Sequence, residues 1–266
     1  MIVLRRYMNN NLRNFNYLIG CEESRQAIAV DPLGADEMLA LAEEQGYEIK
    51  LILNTHEHHD HIDGNPRVQE VTGADIWAHK NAAERIPNVA RGLVAGDVVE
   101  LGTIRLTVLY TPGHTMAHLC LLSEDGGPDG QPVLFSGDTL FNACAGNCRN
   151  GGDPDTLYDT FVAQFQPLPD DTLMHPGHDY MKNNLSFALT REPGNDMIQY
   201  WLDQVSAFDA DEMPVMTLGQ ERTYNPFLRL HQPQIRAQLQ AQFPEMEVAA
   251  ADRDVFRALR ALRDAW

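Results

Sequence analysis

The chain has 266 residues, 44% hydrophobic and 22% charged, which is enough apolar material for one large domain or a domain with a smaller appendage. Its 38 acidic and 20 basic residues give a formal charge of −18, arguing against nucleic acid or an anionic membrane as main partner. No run approaches the roughly 20 apolar residues of a membrane span, and residues 1–7 lack a signal peptide's apolar stretch. Four cysteines (Cys21, Cys120, Cys144, Cys148) make no disulfide framework in so long a chain, so a reduced, cytoplasmic protein is expected.

In chain order, residues 16–20 and 26–30 read as paired strands ending at Asp31-Pro32. Residues 35–45 carry apolar side chains at helical spacing (Met38, Leu39, Leu41, Ala42) and stop at Gly46. Residues 49–54 form a buried strand, 74–78 another, and 98–101 with 104–110 a hairpin around Gly102-Thr103. A strand at 119–122 precedes the turn-rich loop 124–130. A strand comes next at 133–136, then a helix at 155–165 behind an Asp-Pro start, and a last strand at 172–174. Beyond about residue 180 the texture changes to helix formers, at 183–190, 197–207, 232–242 and 252–265. The stripe Val255, Leu259, Leu262 reads as a helix packed on its own domain. Strands followed by helices predict a two-layer sheet sandwich with outer helices and then a small helical domain.

The strand at 49–54 delivers His56-Glu57-His58-His59-Asp60-His61. Imidazole and carboxylate are the donors that Zn, Fe and Mn accept. His56 and His58 stand two apart at a strand end, where alternate residues face one side, and Asp60-His61 come after them in a turn. This spacing suits one ion on the first pair and a second on the next. Three further donors each succeed a glycine at a strand end: His114, Asp138 and His178. Glycine permits the sharp turn and close approach that bring such side chains into one pocket. Jointly they make seven donors, of which Asp138 could bridge two ions. Cys144 and Cys148 lack the second pair that a soft metal site needs.

His56-x-His58-x-Asp60-His61, Gly113-His114, Gly137-Asp138 and Gly177-His178 resemble the metal signature of the metallo-β-lactamase superfamily. The resemblance implies an α+β fold, an αββα sandwich, with a dinuclear site at one edge of the sheets. It implies His56, His58 and His114 on one metal and Asp60, His61 and His178 on the other, with Asp138 and a water or hydroxide between them. Residues 177–195, the segment Phe135–Phe141 and the stretch Glu221-Arg222-Thr223-Tyr224-Asn225-Pro226-Phe227-Leu228-Arg229 are similar to glyoxalase II, the hydroxyacylglutathione hydrolase family. That likeness implies a catalytic domain over 1–180 and a helical substrate-binding domain over 181–266. The implied reaction is metal-dependent hydrolysis of a glutathione thioester, S-D-lactoylglutathione to glutathione and D-lactate. Two divalent ions are implied, with zinc ranked before iron and manganese, and Asp60 would both ligate and orient the nucleophile. Arg149, Tyr180 and Arg229 occupy the family's glutathione-binding positions, and Lys182 is a further candidate.

The chain departs from the family at 146–154, where Asn150 and Gly151 replace two aromatics, and at Gln232, where a second basic contact is expected. An iron-dependent glutathione persulfide dioxygenase of the same superfamily, which also takes a glutathione-linked substrate and needs only one redox-active iron, is the competing reading that the altered Arg149 loop keeps open. The seven donors favour hydrolysis. His59 is expected to face outward or bond to a ligand, His118 to support a ligand, and His79, His175 and His231 to be ordinary polar residues.

Overall fold

Six short segments, β1 (Ile2–Tyr7), β2 (Phe15–Gly20), β3 (Gln26–Val30), β4 (Glu48–Leu53), β5 (Asp75–His79) and β6 (Val89–Leu93), pair in chain order into one sheet. The computed structural model describes residues 1–247 and 250–266 of the chain. β1, β2 and β3 are antiparallel, and β3 through β6 are parallel. A second six-stranded sheet uses β7 (Val98–Leu101), β8 (Ile104–Tyr110), β9 (Leu119–Ser123) and β10 (Val133–Gly137). It is extended by β13 (Leu173–Pro176), parallel to β10, and the edge strand β14 (Met216–Thr217). In the chain between β10 and β13, β11 (Leu140–Phe141) and β12 (Cys144–Ala145) form a separate hairpin.

Strand parity assigns each side chain to a layer. Tyr17, Ile19, Leu53, Leu119, Leu121, Val133 and Phe135 fill the space between the sheets. Leu18 and Ile52 face outward, against Met38, Leu41 and Ala42 of α1 (Ala35–Gln45) and Val68 of α3 (Asn65–Thr72). α1 ends where Gly46 turns left-handed at φ 68°, which costs glycine no Cβ clash. The short α2 (His59–Ile62) sits between these helices and carries part of the histidine cluster.

On the other outer face, Cys120, Leu134 and Met174 meet Leu157 of α4 (Pro154–Thr160), whose Asp153 cap accepts from the Thr156 N–H at 2.8 Å. The expected helix over 155–165 continues as a π-turn over Phe161–Phe165. The same cluster takes side chains from α5 (Met181–Arg191), α8 (Pro233–Gln242) and α9 (Asp252–Asp264). α6 (Asp196–Val205) and α7 (Leu218–Tyr224) pack with α5 in a smaller cluster of their own. The αββα layering is as expected. The α9 stripe is not: Val255 and Leu259 join the cluster that covers the second sheet's outer face, and α9 packs against α4 as well as against α8 of its own segment. That face is apolar and α4 alone is too short to cover it, so the terminal helices complete the sandwich. β1, β6, α3 and α7 are further elements that the sequence pattern does not announce.

Candidate metal centre and adjoining cleft

The parallel pairs β3–β4 and β10–β13, with β8 running in the same direction as β10, bring their carboxy-terminal ends to one edge of the sandwich. Each donor lies just beyond one of these ends. Gly137, at φ 48°, and Gly177 allow this crowding. A Cβ on Gly137 would meet Thr55 Oγ1 at 2.7 Å, and one on Gly177 would collide with Asp138 Oδ1.

All seven predicted donors converge. His58 Nδ1 lies 3.0 Å from His56 Nε2 and 3.0 Å from His114 Nε2. His61 Nε2 lies 3.3 Å from His178 Nε2, and Asp60 Oδ2 lies 3.5 and 3.4 Å from those two nitrogens. Asp138 joins the groups: Oδ2 is 3.5 Å from His114 Nε2 and 3.2 Å from His178 Nε2, while Oδ1 is 3.4 Å from His61 Nε2.

The outward ring nitrogens are occupied, which fixes the tautomers. His114 Nδ1 donates to Asn147 O at 2.6 Å, His178 Nδ1 to Leu12 O at 2.7 Å and His58 Nε2 to Asn150 O at 3.2 Å. His61 Nδ1 donates to Asp31 Oδ2 at 2.9 Å, and His56 Nδ1 to Thr55 Oγ1 at 3.0 Å, whose hydroxyl donates to the same Asp31 oxygen. The inward nitrogens therefore present lone pairs to one another at about 3 Å, an arrangement that only a cation or a proton relieves. Asp138 Oδ1 is buried with no hydrogen-bond partner, a cost that a cation would remove. The donor set fits divalent metal ions.

The electrostatics agree for His114, His56 and Asp138. His61, which burial would lower, is held well above its usual value by Asp138 and Asp31 and so carries a proton that a cation would displace. Burial pushes the His114 imidazole down to about 4 and holds His56 well below its usual value, so both are neutral at pH 7. Asp138 stays well below the carboxylate range: burial opposes this, but His178 and His61 overcome it. Neutral imidazole and ionised carboxylate are the ligand forms of these groups.

Asp31 and His118 complete the surroundings. Asp31, in the left-handed region at φ 49°, carries no motif that marks it in the sequence. The parallel β3–β4 register that sets it beside Thr55 and His61 is not readable from composition. His118 accepts from the Asp138 N–H at 3.1 Å through Nε2, and Thr111 and Thr139 hydroxyls meet its Nδ1 at 2.9 Å. His59 is solvent-exposed beside Asp63, His79 stacks on Tyr110, and His231 meets Gln232. Cys144 and Cys148 belong to no candidate ligand group among the described residues.

Next to the centre lies a cleft of about 370 Å³ lined by Phe141, Asn147, Arg149, Tyr180, Asn184 and Arg263 among others. Tyr180 stacks on His178 with centroids 4.7 Å apart. Arg149 is more than half exposed, with Nε 3.7 Å from Asp264 Oδ2. Lys182 lines a different cleft on the far side of α5. Arg229 departs from expectation. It grips Glu192 through Nε at 2.9 Å and Nη2 at 2.6 Å, donates to Arg222 O, and lines neither cleft. Two cations reach the first cleft from the terminal segment: Arg260, held on the Ala145 and Gly146 carbonyls, and Arg263, which donates to Asn184 Oδ1 at 2.9 Å. The signal for both is the run Arg253, Arg257, Arg260 and Arg263, spaced three or four apart along α9, which the apolar stripe on the same helix obscures.

Residues 14–178 match the model of the metallo-beta-lactamase superfamily. Residues 179–266 match that of the hydroxyacylglutathione hydrolase C-terminus. ETHE1 from Myxococcus xanthus, a solved structure, aligns with a TM-score of 0.67 at 25% identity, covering 100% of this chain and 99% of that one. The fold and the converging donors thus define a metal-dependent enzyme of the metallo-β-lactamase superfamily. A hydroxyacylglutathione hydrolase of Polaromonas sp. is 50% identical over 267 residues, and one of Nitrosococcus oceani 45%, each match covering 100% of both chains. The chain belongs to the hydroxyacylglutathione hydrolase family.

Proposed function

We propose that the enzyme hydrolyses S-2-hydroxyacylglutathione thioesters, S-D-lactoylglutathione to glutathione and D-lactate, with two divalent ions held by His56, His58, His114 and by Asp60, His61, His178. The observation that carries this is Asp138, whose two oxygens reach nitrogens of both groups while one oxygen lacks any hydrogen bond. Zinc is the first choice for this nitrogen and oxygen set, before iron or manganese. When bound, the ions supply Lewis acidity and water activated at neutral pH.

The chain's own residues orient the reaction. Asn14 Nδ2 donates to Asp60 Oδ2 at 2.9 Å, holding the carboxylate that aligns the nucleophile. Tyr180, stacked on His178, walls the reacting carbonyl. Arg149 and Arg263 meet the carboxylates of glutathione, a task suited to the planar guanidinium fork. The leaving group is a thiolate, so no dedicated general acid is required. In this division of labour 1–180 carries the chemistry and 181–266 shapes the substrate site. The substrate is a small molecule; no helix among the described residues is long and apolar enough to cross a membrane. Four free cysteines, three of them buried, suit a reducing, cytoplasmic setting.

The test is turnover of S-D-lactoylglutathione with and without oxygen, beside oxygen uptake with glutathione persulfide. Oxygen-independent thiol release supports hydrolysis. Oxygen uptake with the persulfide and no thioester turnover would replace it with the dioxygenase reading.

A further inference from the structure

We propose that a second cleft, across α5 from the arginine-lined one, receives the acyl half of the thioester and favours 2-hydroxyacyl groups with an apolar chain longer than lactoyl. This inference rests on the hydrolase reading above. α5 and the residue before it form the partition. Tyr180 and Asn184, one helical turn apart, line the first cleft, while Lys182 and Ser186 line the second, and Tyr180 borders both.

The clefts flank opposite halves of the centre. Asn147 and Asn150, at the first cleft, hold His114 and His58 by their carbonyls. Arg13, at the second, lies between Leu12, whose carbonyl holds His178, and Asn14, which holds Asp60. A thioester carbonyl set between the two groups therefore has its sulfur side toward the first cleft and its acyl side toward the second.

The linings differ accordingly. Arg149, Arg260 and Arg263 against Asp264 leave the first cleft a surplus of cations for a thiol carrier with two carboxylates. In the second, Arg13 is bonded to Asp179 and so largely neutralised, which leaves the Lys182 ammonium as its net charge, and the opposite wall is Val205, Phe208 and Met213. Phe208 is 41% exposed, an aromatic surface presented to the cleft mouth. The volume is about 730 Å³, more than a lactoyl group fills. An apolar chain there gains transition-state binding that lactoyl forgoes, at most roughly 10–200-fold for a methylene packed in an apolar pocket.

The test is kcat/KM for S-D-lactoylglutathione and for S-(2-hydroxyoctanoyl)glutathione in the metal-loaded enzyme and its Ala210→Trp and Phe208→Ala variants. The ratio of octanoyl to lactoyl efficiency should fall by about tenfold in both variants, one by filling the cleft and the other by removing its aromatic wall. A ratio unmoved within about twofold in both, including an equal loss for both thioesters, would overturn the acyl cleft and leave the hydrolase reading intact. No turnover of either thioester by the parent enzyme would overturn both.

Discussion

Arg229 holds Glu192 with two hydrogen bonds, 2.9 and 2.6 Å long, and both side chains are largely buried. The pair ties the segment after α7 to the end of α5. Removing one partner leaves a buried charge without compensation, a loss of about 3–5 kcal/mol. Arg229→Ala should therefore lower the denaturant midpoint strongly, while KM for S-D-lactoylglutathione in the folded fraction changes little. A raised KM with unchanged stability would return Arg229 to the substrate site.

Arg263 and Arg149 carry the opposite expectation. Both line the first cleft, and neither is locked into a buried pair. Arg263→Ala should raise KM about tenfold with a smaller change in kcat, as expected when binding shared by ground and transition states is lost. Steady-state kinetics checks this, and a fall confined to kcat would contradict it.

His118 is a positioning residue for Asp138. Its Nε2 takes the Asp138 N–H at 3.1 Å, and its Nδ1 faces two threonine hydroxyls. His118→Ala strands those groups and should weaken metal affinity about 10–100-fold. Metal retention against a competing chelator reads this directly.

His175 gives a pH signature separable from the metal ligands. Its ring stacks on Phe135, its Nδ1 has no partner, and burial pushes its imidazole down to about 3. The folded-state value lies below the unfolded one, so its contribution is full above about pH 6.5 and is lost as pH falls toward 3. Within that window the parent enzyme should lose about 1.4 kcal/mol per pH unit relative to His175→Phe. Denaturant unfolding of both at pH 7 and pH 4.5 measures the difference, because the other histidines cancel. Parallel pH profiles would contradict it.

The seven donors are legible in the sequence because each is delivered by a local device: a buried strand before His56, or a strand-end glycine before His114, Asp138 and His178. The sandwich is legible from strand parity. Asp31 is not, since its role depends on β3 lying parallel to β4, a pairing of segments about 20 residues apart. The terminal signature marks the family, but the partners of its side chains in the fold are not readable from it. Glu221 accepts from Asn142, Ala143, Tyr224 and Asn225, so this stretch staples the hairpin turn beside the centre. A signature records which residues recur, and burial decides whether they bind a ligand or one another. β1 and β6 carry no clear alternation and are invisible for that reason.

Anomalous diffraction from crystals of the zinc-loaded enzyme tests the central claim most directly. Two peaks about 3.5–4 Å apart are predicted, one among His56, His58 and His114 and one among Asp60, His61 and His178, with Asp138 between them. A single peak at full metal loading, or zinc bound anywhere but between these side chains, would contradict the account.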